Sequence, residues 1–406
     1  MKHVIIGAGA AGITAAKTIR EQNKTDEIVL ISTDETVYSR CMLHHYISGK
    51  RSLSELSFVT DDFFSDNNVR WISNAIVTNI DTKEKKVVYG GGSEAYDKLL
   101  IATGAKSAFP PVEGLDGAKG VFGLRDLPDA KAIASKAAGA KNIVVLGAGL
   151  VGLDAAYGLL DMGKKPVIVE MADRILSVNL DSDAAAVYQA EFEKAGAIIK
   201  LKTKMSSVSL GSSGEISSVK LSNGEEIPCD LLIVATSVTP NAKWLESSGI
   251  AVERGVVVDK YLATGALDVY AAGDVTGLSG TWPDAMSQGE IAAMNMCGVQ
   301  VEYSDFVPMK CTMSFFGIPT LSVGSFVAGA GDDVKVRESR GRYERVVVRD
   351  GIPVGVILQG DISRSGYWQH MIKNKISTAG IHKPIWKVSF ADAYSIEANG
   401  EYKWAL

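Results

Sequence analysis

One kind of turn occurs twice in this chain. VIIGAGAAG, Val4 to Gly12, and VVLGAGLVG, Val144 to Gly152, each join a short apolar run to an apolar helix-like segment through three glycines. An apolar run bounded in this way reads as a buried parallel strand. In the first copy Gly7 permits the tight turn, Gly9 lets backbone approach a pyrophosphate, and Gly12 lets the helix pack close on the strand. The helix N-terminus adds free N–H groups and its dipole. Gly147, Gly149 and Gly152 hold the same stations in the second copy. A glycine corner met once could serve packing alone; its recurrence one small domain later predicts two α/β units of the dinucleotide-binding kind.

The rest of the chain fits around these turns. After AAGITAAKTIR, DEIVLIS reads as a second strand, YSRCMLHHYISGK as a helix-like or loop segment, and DTKEKKVVY with GGGSEAY as two strands joined by a glycine turn. DKLLIATGA is an apolar strand ending in Ala102, Thr103 and Gly104, and FPPVEGLDG marks a crossing between domains. In the second unit PVIVE ends at Glu170, SSVSLGSSGEISSVKLSNGEEI is a hairpin, and CDLLIVATSVTPN echoes YDKLLIATGA. DVYAAGDV and SQGEIAAMNMCG have no counterpart in the second unit, so they are expected to return to the first. From about Asp305 the pattern alternates as antiparallel strands with a turn at Asp350-Gly351. The expected fold class is α/β: two Rossmann-like, doubly wound, three-layer domains, the first discontinuous (1–108 and 240–304) and the second spanning 109–239. A smaller α+β domain, 305–406, follows.

Composition narrows the function. At 406 residues the chain can bury sizeable cores, and a formal charge of -5 argues against a broad nucleic-acid or acidic-membrane surface. No apolar run approaches membrane-spanning length and the first strand starts at once, so the cytoplasm is the expected location. Cys41, Cys229, Cys297 and Cys311 are far apart, which excludes a local CxxC pair or zinc ribbon and predicts no metal site. Cysteine chemistry would rest on single residues.

As an ordered set these motifs resemble the two-dinucleotide flavoprotein family of NADH oxidases, NADH peroxidases, coenzyme A disulfide reductases, and rubredoxin or ferredoxin reductases. The resemblance covers roughly the first three hundred residues. It implies FAD and NADH as cofactors. VIIGAGAAG, including Ala11, looks like the FAD turn, LLIATGA (Ala102, Thr103, Gly104) the family's Ala-Thr-Gly strand, and VVLGAGLVGLD the NAD turn. DVYAAGDV looks like the late motif in which Gly273 precedes a flavin-binding aspartate, Asp274. Arg125 in VFGLRDLPDA falls where members place an arginine near FAD, and Val77 in AIVTNID where a backbone contact to adenine is usual. Two positions depart from the pattern. Ser32 stands where an acid should grip the FAD ribose, with Asp34 and Glu35 just beyond. Ser237 stands where glycine is common.

Glu170, about twenty residues past the second turn, is at the usual station of a ribose 2′-hydroxyl acceptor and predicts NADH over NADPH. The plain alternative is a solvated strand-end glutamate, and Arg174 could reach a phosphate. Cys41 stands in the register of the single redox cysteine of the oxidases, peroxidases and coenzyme A disulfide reductases, where the electron-transferring reductases commonly have proline. Redox use needs a thiolate, with Arg40, His44 and His45 as candidate cations; Arg40 is also a candidate flavin contact. Otherwise Cys41 is a buried apolar residue. By the same resemblance His45 occupies the place of a flavin-facing lysine and Asp154 that of its acidic partner, the plain alternative for His45 being a hydrogen-bonded neighbour; Trp282 falls at a place near the flavin or in the core.

The expectation is an FAD-dependent NADH:acceptor oxidoreductase. Hydride passes from NADH to flavin and electrons go on to a rubredoxin-like protein or oxygen. One alternative is a Cys41-dependent peroxide or coenzyme A disulfide reductase. Another is a flavin-bearing relay or interaction subunit that docks through Tyr367, Trp368, Trp386 and Trp404, although antiparallel domains also bury such residues. A homodimer is compatible with the sequence; nucleic-acid and membrane partners are not expected.

Overall fold

The computed structural model describes residues 1–304 and 310–404, so the expected boundary at Asp305 lies outside the described residues. The chain divides into two compact units, Met1–Met171 with Gly196–Ser304, and Ala172–Ala195 with Asp305–Leu406.

The first unit holds two five-stranded parallel sheets. One has the spatial order Val269–Ala271, Lys98–Ile101, Lys2–Ile6, Glu27–Ile31, Val69–Ile72. Its strands are continuous apolar runs because both faces are covered: Val4, Ile5, Leu99, Leu100 and Ile101 are wholly buried. Each such side chain stabilises the fold by about 1.5–3 kcal/mol. Helices Ala10–Gln22 and Trp282–Met296 cover one face. The antiparallel strands Val77–Asp81, Lys86–Tyr89 and Gly92–Ala95 lie over the other. DVYAAGDV returns as expected, with Val269 paired to Leu99. Its following helix packs so tightly on the first that a Cβ on Gly289 would lie 2.2 Å from the Ala11 carbonyl oxygen.

The other parallel sheet runs Ile198–Lys200, Val167–Val169, Ile143–Leu146, Leu231–Val234, Val121–Gly123. A two-stranded ribbon, Ala105–Ser107 against Val238–Pro240, joins the two halves at the FPP crossing. YSRCMLHHYISGK forms a single 3-10 turn, Arg40–Met42, and a short helix, Leu43–Ile47. No helix among the described residues is long and apolar enough to cross a membrane.

The second unit is built on an antiparallel sheet ordered Lys310–Phe315, Ile318–Gly324, Ile352–Gln359, Arg342–Arg349, Asp333–Ser339. Asp350 and Gly351 both have positive φ, 51° and 78°, the signature of the tight hairpin their sequence predicts. Helix Ser365–Lys373 supplies the core, and here one expectation fails. Tyr367 and Trp368 are buried, Trp368 to 1% exposure, so they hold this unit together and offer no docking surface. Trp386 is half-buried with the Arg337 guanidinium 5.3 Å from its ring centre, and the Trp404 side chain lies outside the described residues. Helix Ser182–Lys194 belongs to this unit: the Tyr188 hydroxyl lies 2.6 Å from the Ile318 carbonyl oxygen and 2.7 Å from the Thr320 hydroxyl.

Candidate functional site

The two glycine turns have the same construction. Gly7 and Gly147 have φ of 113° and 105°, and a Cβ on either would strike the carbonyl oxygen of Ala102 (2.2 Å) or Ala235 (2.6 Å), at the ends of the two echoing strands. A Cβ on Gly12 or Gly152 would stand 1.9 Å from the Gly7 or Gly147 oxygen. Gly9 and Gly149 are the opposite case, with nothing within 4 Å of a Cβ. They are also the N-caps of helices Ala10–Gln22 and Leu150–Asp161, and no side chain caps either end. The orphan N–H groups therefore point at open space, an arrangement that suits a phosphate.

The first turn opens onto a cavity of about 850 Å³, at the large end of the ~300–1,000 Å³ typical of ligand sites. Gly7, Gly9 and Ala11 line it with Ala102, Thr103 and Gly104. Ser32, Val77, Arg40 and Cys41 are also on its wall, as are Arg125, Gly273, Asp274 and Trp282. Gly12 sits under the turn. The residues of the second turn, with Asp154 and Glu170, are not among the lining residues.

Asp274 is ion-paired with the Arg125 guanidinium, which also donates to the Ala105 carbonyl at 3.2 Å. The turn that presents Asp274 hangs on Gln288. This wholly buried side chain accepts from the Gly273 N–H (2.8 Å) and the Thr276 hydroxyl (3.1 Å) through Oε1. Sequence reasoning missed Gln288, whose one signal is a polar residue on the buried face of an apolar helix. Trp282 is half-buried, edge-on to Phe58 at 4.8 Å between ring centres. Ser237 fits without strain: its φ is not positive and its carbonyl accepts from the Ala108 N–H at 3.0 Å.

The Ser32 hydroxyl is committed, donating to the Asp34 carbonyl (3.1 Å) and accepting from the Trp71 indole (3.0 Å). The carboxylate that the cavity wall offers beside it is Asp34. It accepts from the Tyr38 hydroxyl at 3.1 Å and from Arg40 at 2.9 Å, and keeps further acceptor capacity on both oxygens. Arg40 is thus tied to Asp34 and Tyr38, and burial pushes the Tyr38 hydroxyl up to about 12.

The sequence leaves Cys41 open between an acidic redox thiol and a buried apolar residue; its side chain is exposed on the cavity wall, and the protein around it pushes the thiol up to about 11. Asp154 and Asp274 raise it further and Arg125 opposes them. The expectation for His45 is corrected, since it does not pair with Asp154. His44 does, with Nδ1 3.6 Å from Oδ1, and the His45 ring stacks at a tilt 4.0 Å from that of His44. Burial first, then Arg51 and Lys50, lower the His45 ring below the usual histidine range, so it is no standing cation.

Glu170 closes the strand Val167–Val169. Its Oε2 accepts from the Ala148 N–H in the second glycine turn at 2.7 Å, which fixes the carboxylate beside that turn. Arg174 spends its guanidinium on the Leu180 and Ser177 carbonyls and on Asp173.

Two phosphate turns, each on a parallel sheet, with an acid and an arginine at the wall of one large cavity, define a two-dinucleotide flavoprotein. The open side of Gly9 and the polar wall at Asp34, Thr103, Arg125 and Asp274 fit FAD. The sequence pattern of pyridine nucleotide-disulphide oxidoreductases matches residues 1–289, and that of the C-terminal domain of rubredoxin NAD+ reductases matches residues 310–376. The chain is 33% identical over 387 residues to the epsilon subunit of the NADH-dependent phenylglyoxylate dehydrogenase of Aromatoleum evansii, covering 91% of each chain. It is 34% identical over 324 residues to an NADH oxidase of Methanocaldococcus jannaschii, covering 75% of this chain and 71% of that one. The solved NADH:rubredoxin oxidoreductase of Clostridium acetobutylicum superposes with a TM-score of 0.74 at 25% identity, over 94% and 97% of the two chains. The chain belongs to the pyridine nucleotide-disulphide oxidoreductase family. It is an NADH-dependent flavoprotein oxidoreductase that uses FAD and NADH.

Proposed function

We propose that this protein takes hydride from NADH onto its flavin and passes the electrons to a rubredoxin-like protein or to oxygen, without a thiol intermediate. Cys41 carries this reading. The surroundings of this exposed thiol push it up, whereas attack on a peroxide or disulfide needs the thiolate. Arg40 is tied to Asp34 and Tyr38, the His44 and His45 rings are lowered below the usual histidine range, and Arg125, which does favour the thiolate, is paired with Asp274. FAD supplies the step from a hydride pair to single electrons. The chain's own residues hold and orient it. The Gly7–Gly12 turn and Ala11 take its pyrophosphate, Val77 contacts adenine, and Ala102, Thr103, Gly104, Arg40, Arg125, Gly273 and Asp274 wall it from water. Ser32 is the weak member and Asp34 is placed to do its work. The second turn, Gly147 to Gly152, takes NADH. In domain terms, 1–108 with 240–304 binds FAD, 109–239 binds NADH, and 305–406 is an interface for a partner.

Anaerobic titration with NADH separates this from the Cys41-dependent peroxide or coenzyme A disulfide reductase. Wild-type and Cys41→Ser proteins should each take up two electrons per FAD, the capacity of flavin alone; four in the wild type falling to two in the variant overturns the thiol-free reading. A second reading is an electron-relay subunit without independent turnover, favoured because the Aromatoleum relative is a subunit and aligns over nearly its whole length. FAD-loaded protein should oxidise NADH faster when rubredoxin, ferricyanide or oxygen is supplied. If none accelerates it, the relay reading replaces the first.

Glu170 sets the coenzyme preference in this scheme. Glu170→Ala removes both the hydroxyl acceptor and the charge that repels a 2′-phosphate, so the ratio of kcat/KM for NADH over NADPH should fall by about 10-fold or more. An unchanged ratio would sink the assignment.

A further inference from the structure

The recess behind Cys41 holds two titratable groups that the proposed chemistry does not use. Asp154 and Gly158 are one turn apart on the same face of helix Leu150–Asp161. A Cβ on Gly158 would stand 2.7 Å from the His44 carbonyl oxygen, so its absence lets helix Leu43–Ile47 settle on this face. That approach places His44 Nδ1 3.6 Å from Asp154 Oδ1. The separation is longer than a hydrogen bond, and Nδ1 is buried without a hydrogen-bond partner on a side chain only 10% exposed. A buried nitrogen is costly to leave unsatisfied, and a small rotation of Asp154 would relieve it.

Electrostatics decides where the proton sits. Burial takes the His44 ring down to about 3, with His45, Arg51 and Lys50 pushing the same way and the Cys41 carbonyl pulling slightly against them. The Asp154 side chain is partly exposed, at 26%, and the protein packed around it raises its carboxyl to about 8. The other groups facing the pair leave this balance standing. Tyr157 meets the His44 ring at 6.3 Å, Asp161 is bound to Lys50 at 2.6 Å, and Asp126 and Asp129 at the start of helix Leu127–Gly139 border Arg40. The result is a neutral carboxylic acid with a proton to donate beside a neutral imidazole nitrogen with a lone pair.

We propose that Asp154 keeps its proton at neutral pH by donating it to Nδ1 of His44, and that His44 is thereby the positioning residue for a proton-bearing acid behind Cys41. Loss of that proton to solvent leaves a carboxylate whose field acts on Cys41 and on the cavity that Cys41 lines. This inference is independent of which acceptor the flavin serves, because the pair belongs to the chain alone.

The chain has five histidines, so long-range 1H–15N spectra of FAD-loaded, 15N-histidine-labelled protein can resolve His44. The expected result at pH 7 is a neutral ring with its hydrogen on Nε2 and a hydrogen-bonded Nδ1. The Nδ1 shift should then step with a midpoint near about 8 as Asp154 ionises. Asp154→Asn should abolish the step while leaving a donor for Nδ1. As a second readout, it should raise the rate of Cys41 alkylation at pH 9 severalfold by removing a carboxylate from the thiol's surroundings. An imidazolium at pH 7, a hydrogen on Nδ1 directed at the Cys41 carbonyl, or a pH step that persists in Asp154→Asn overturns the proposal.

Discussion

Gly12→Ala protein is expected to purify without flavin, whereas Gly152→Ala protein keeps its flavin and cannot be reduced by NADH. Both substitutions drive a methyl group to 1.9 Å from a carbonyl oxygen of their own turn, so strand and helix must move apart. Overpacking of this kind costs about 3 kcal/mol, or about 100-fold in affinity for a ligand held by the displaced N–H groups. Because the two turns lie on separate sheets, the losses should separate as well. Flavin absorbance after purification, FAD titration of the apoprotein and rapid-mixing reduction by NADH read the two outcomes. Gly9→Ala guards against simple misfolding: its φ of -83° suits alanine and its Cβ meets no protein atom. It should therefore melt with the wild type yet bind FAD more weakly. Full flavin content in Gly12→Ala, or flavin loss confined to Gly152→Ala, would reverse the assignment of the two turns.

The turns could be read in sequence because their glycines answer backbone demands that no other residue meets, a positive φ at Gly7 and a close approach at Gly12. The return of DVYAAGDV was readable for a related reason, since a strand with no partner in its own unit must find one elsewhere. What escaped were choices made by rotation over short distances. Helix Leu43–Ile47 is barely more than one turn long, too short to show a period, yet its rotation decides whether His44 or His45 faces Asp154. Position 32 hid a similar placement, because the bend after the strand Glu27–Ile31 brings Asp34 to the cavity wall beside Ser32. Cys41 stands in the register of a redox thiol, but the acidity of a thiol depends on what surrounds it in space. Asp154 and Asp274 reach it from distant segments of the chain, and no local pattern around Cys41 could reveal them.

Arg125→Ala should then have the largest effect of any single side chain on the cavity wall. The guanidinium neutralises Asp274, holds the Ala105 carbonyl, and among the described residues is the charge that favours the Cys41 thiolate. Its removal leaves the Asp274 carboxylate, whose side chain is 13% exposed, without its countercharge. Fully buried, an orphaned partner costs about 3–5 kcal/mol; with solvent reaching part of this pair, about 2 kcal/mol is expected, or about 30-fold weaker FAD binding. Arg125→Lys should recover part of the loss, since it restores the charge without the bond to the Ala105 carbonyl. The Cys41 thiol should move higher still, so alkylation at pH 9 should slow in Arg125→Ala and speed up in Asp274→Asn. Opposite shifts from two substitutions that each break the same ion pair would identify a field acting through space. Equal slowing in both would mean that the pair only shapes the cavity.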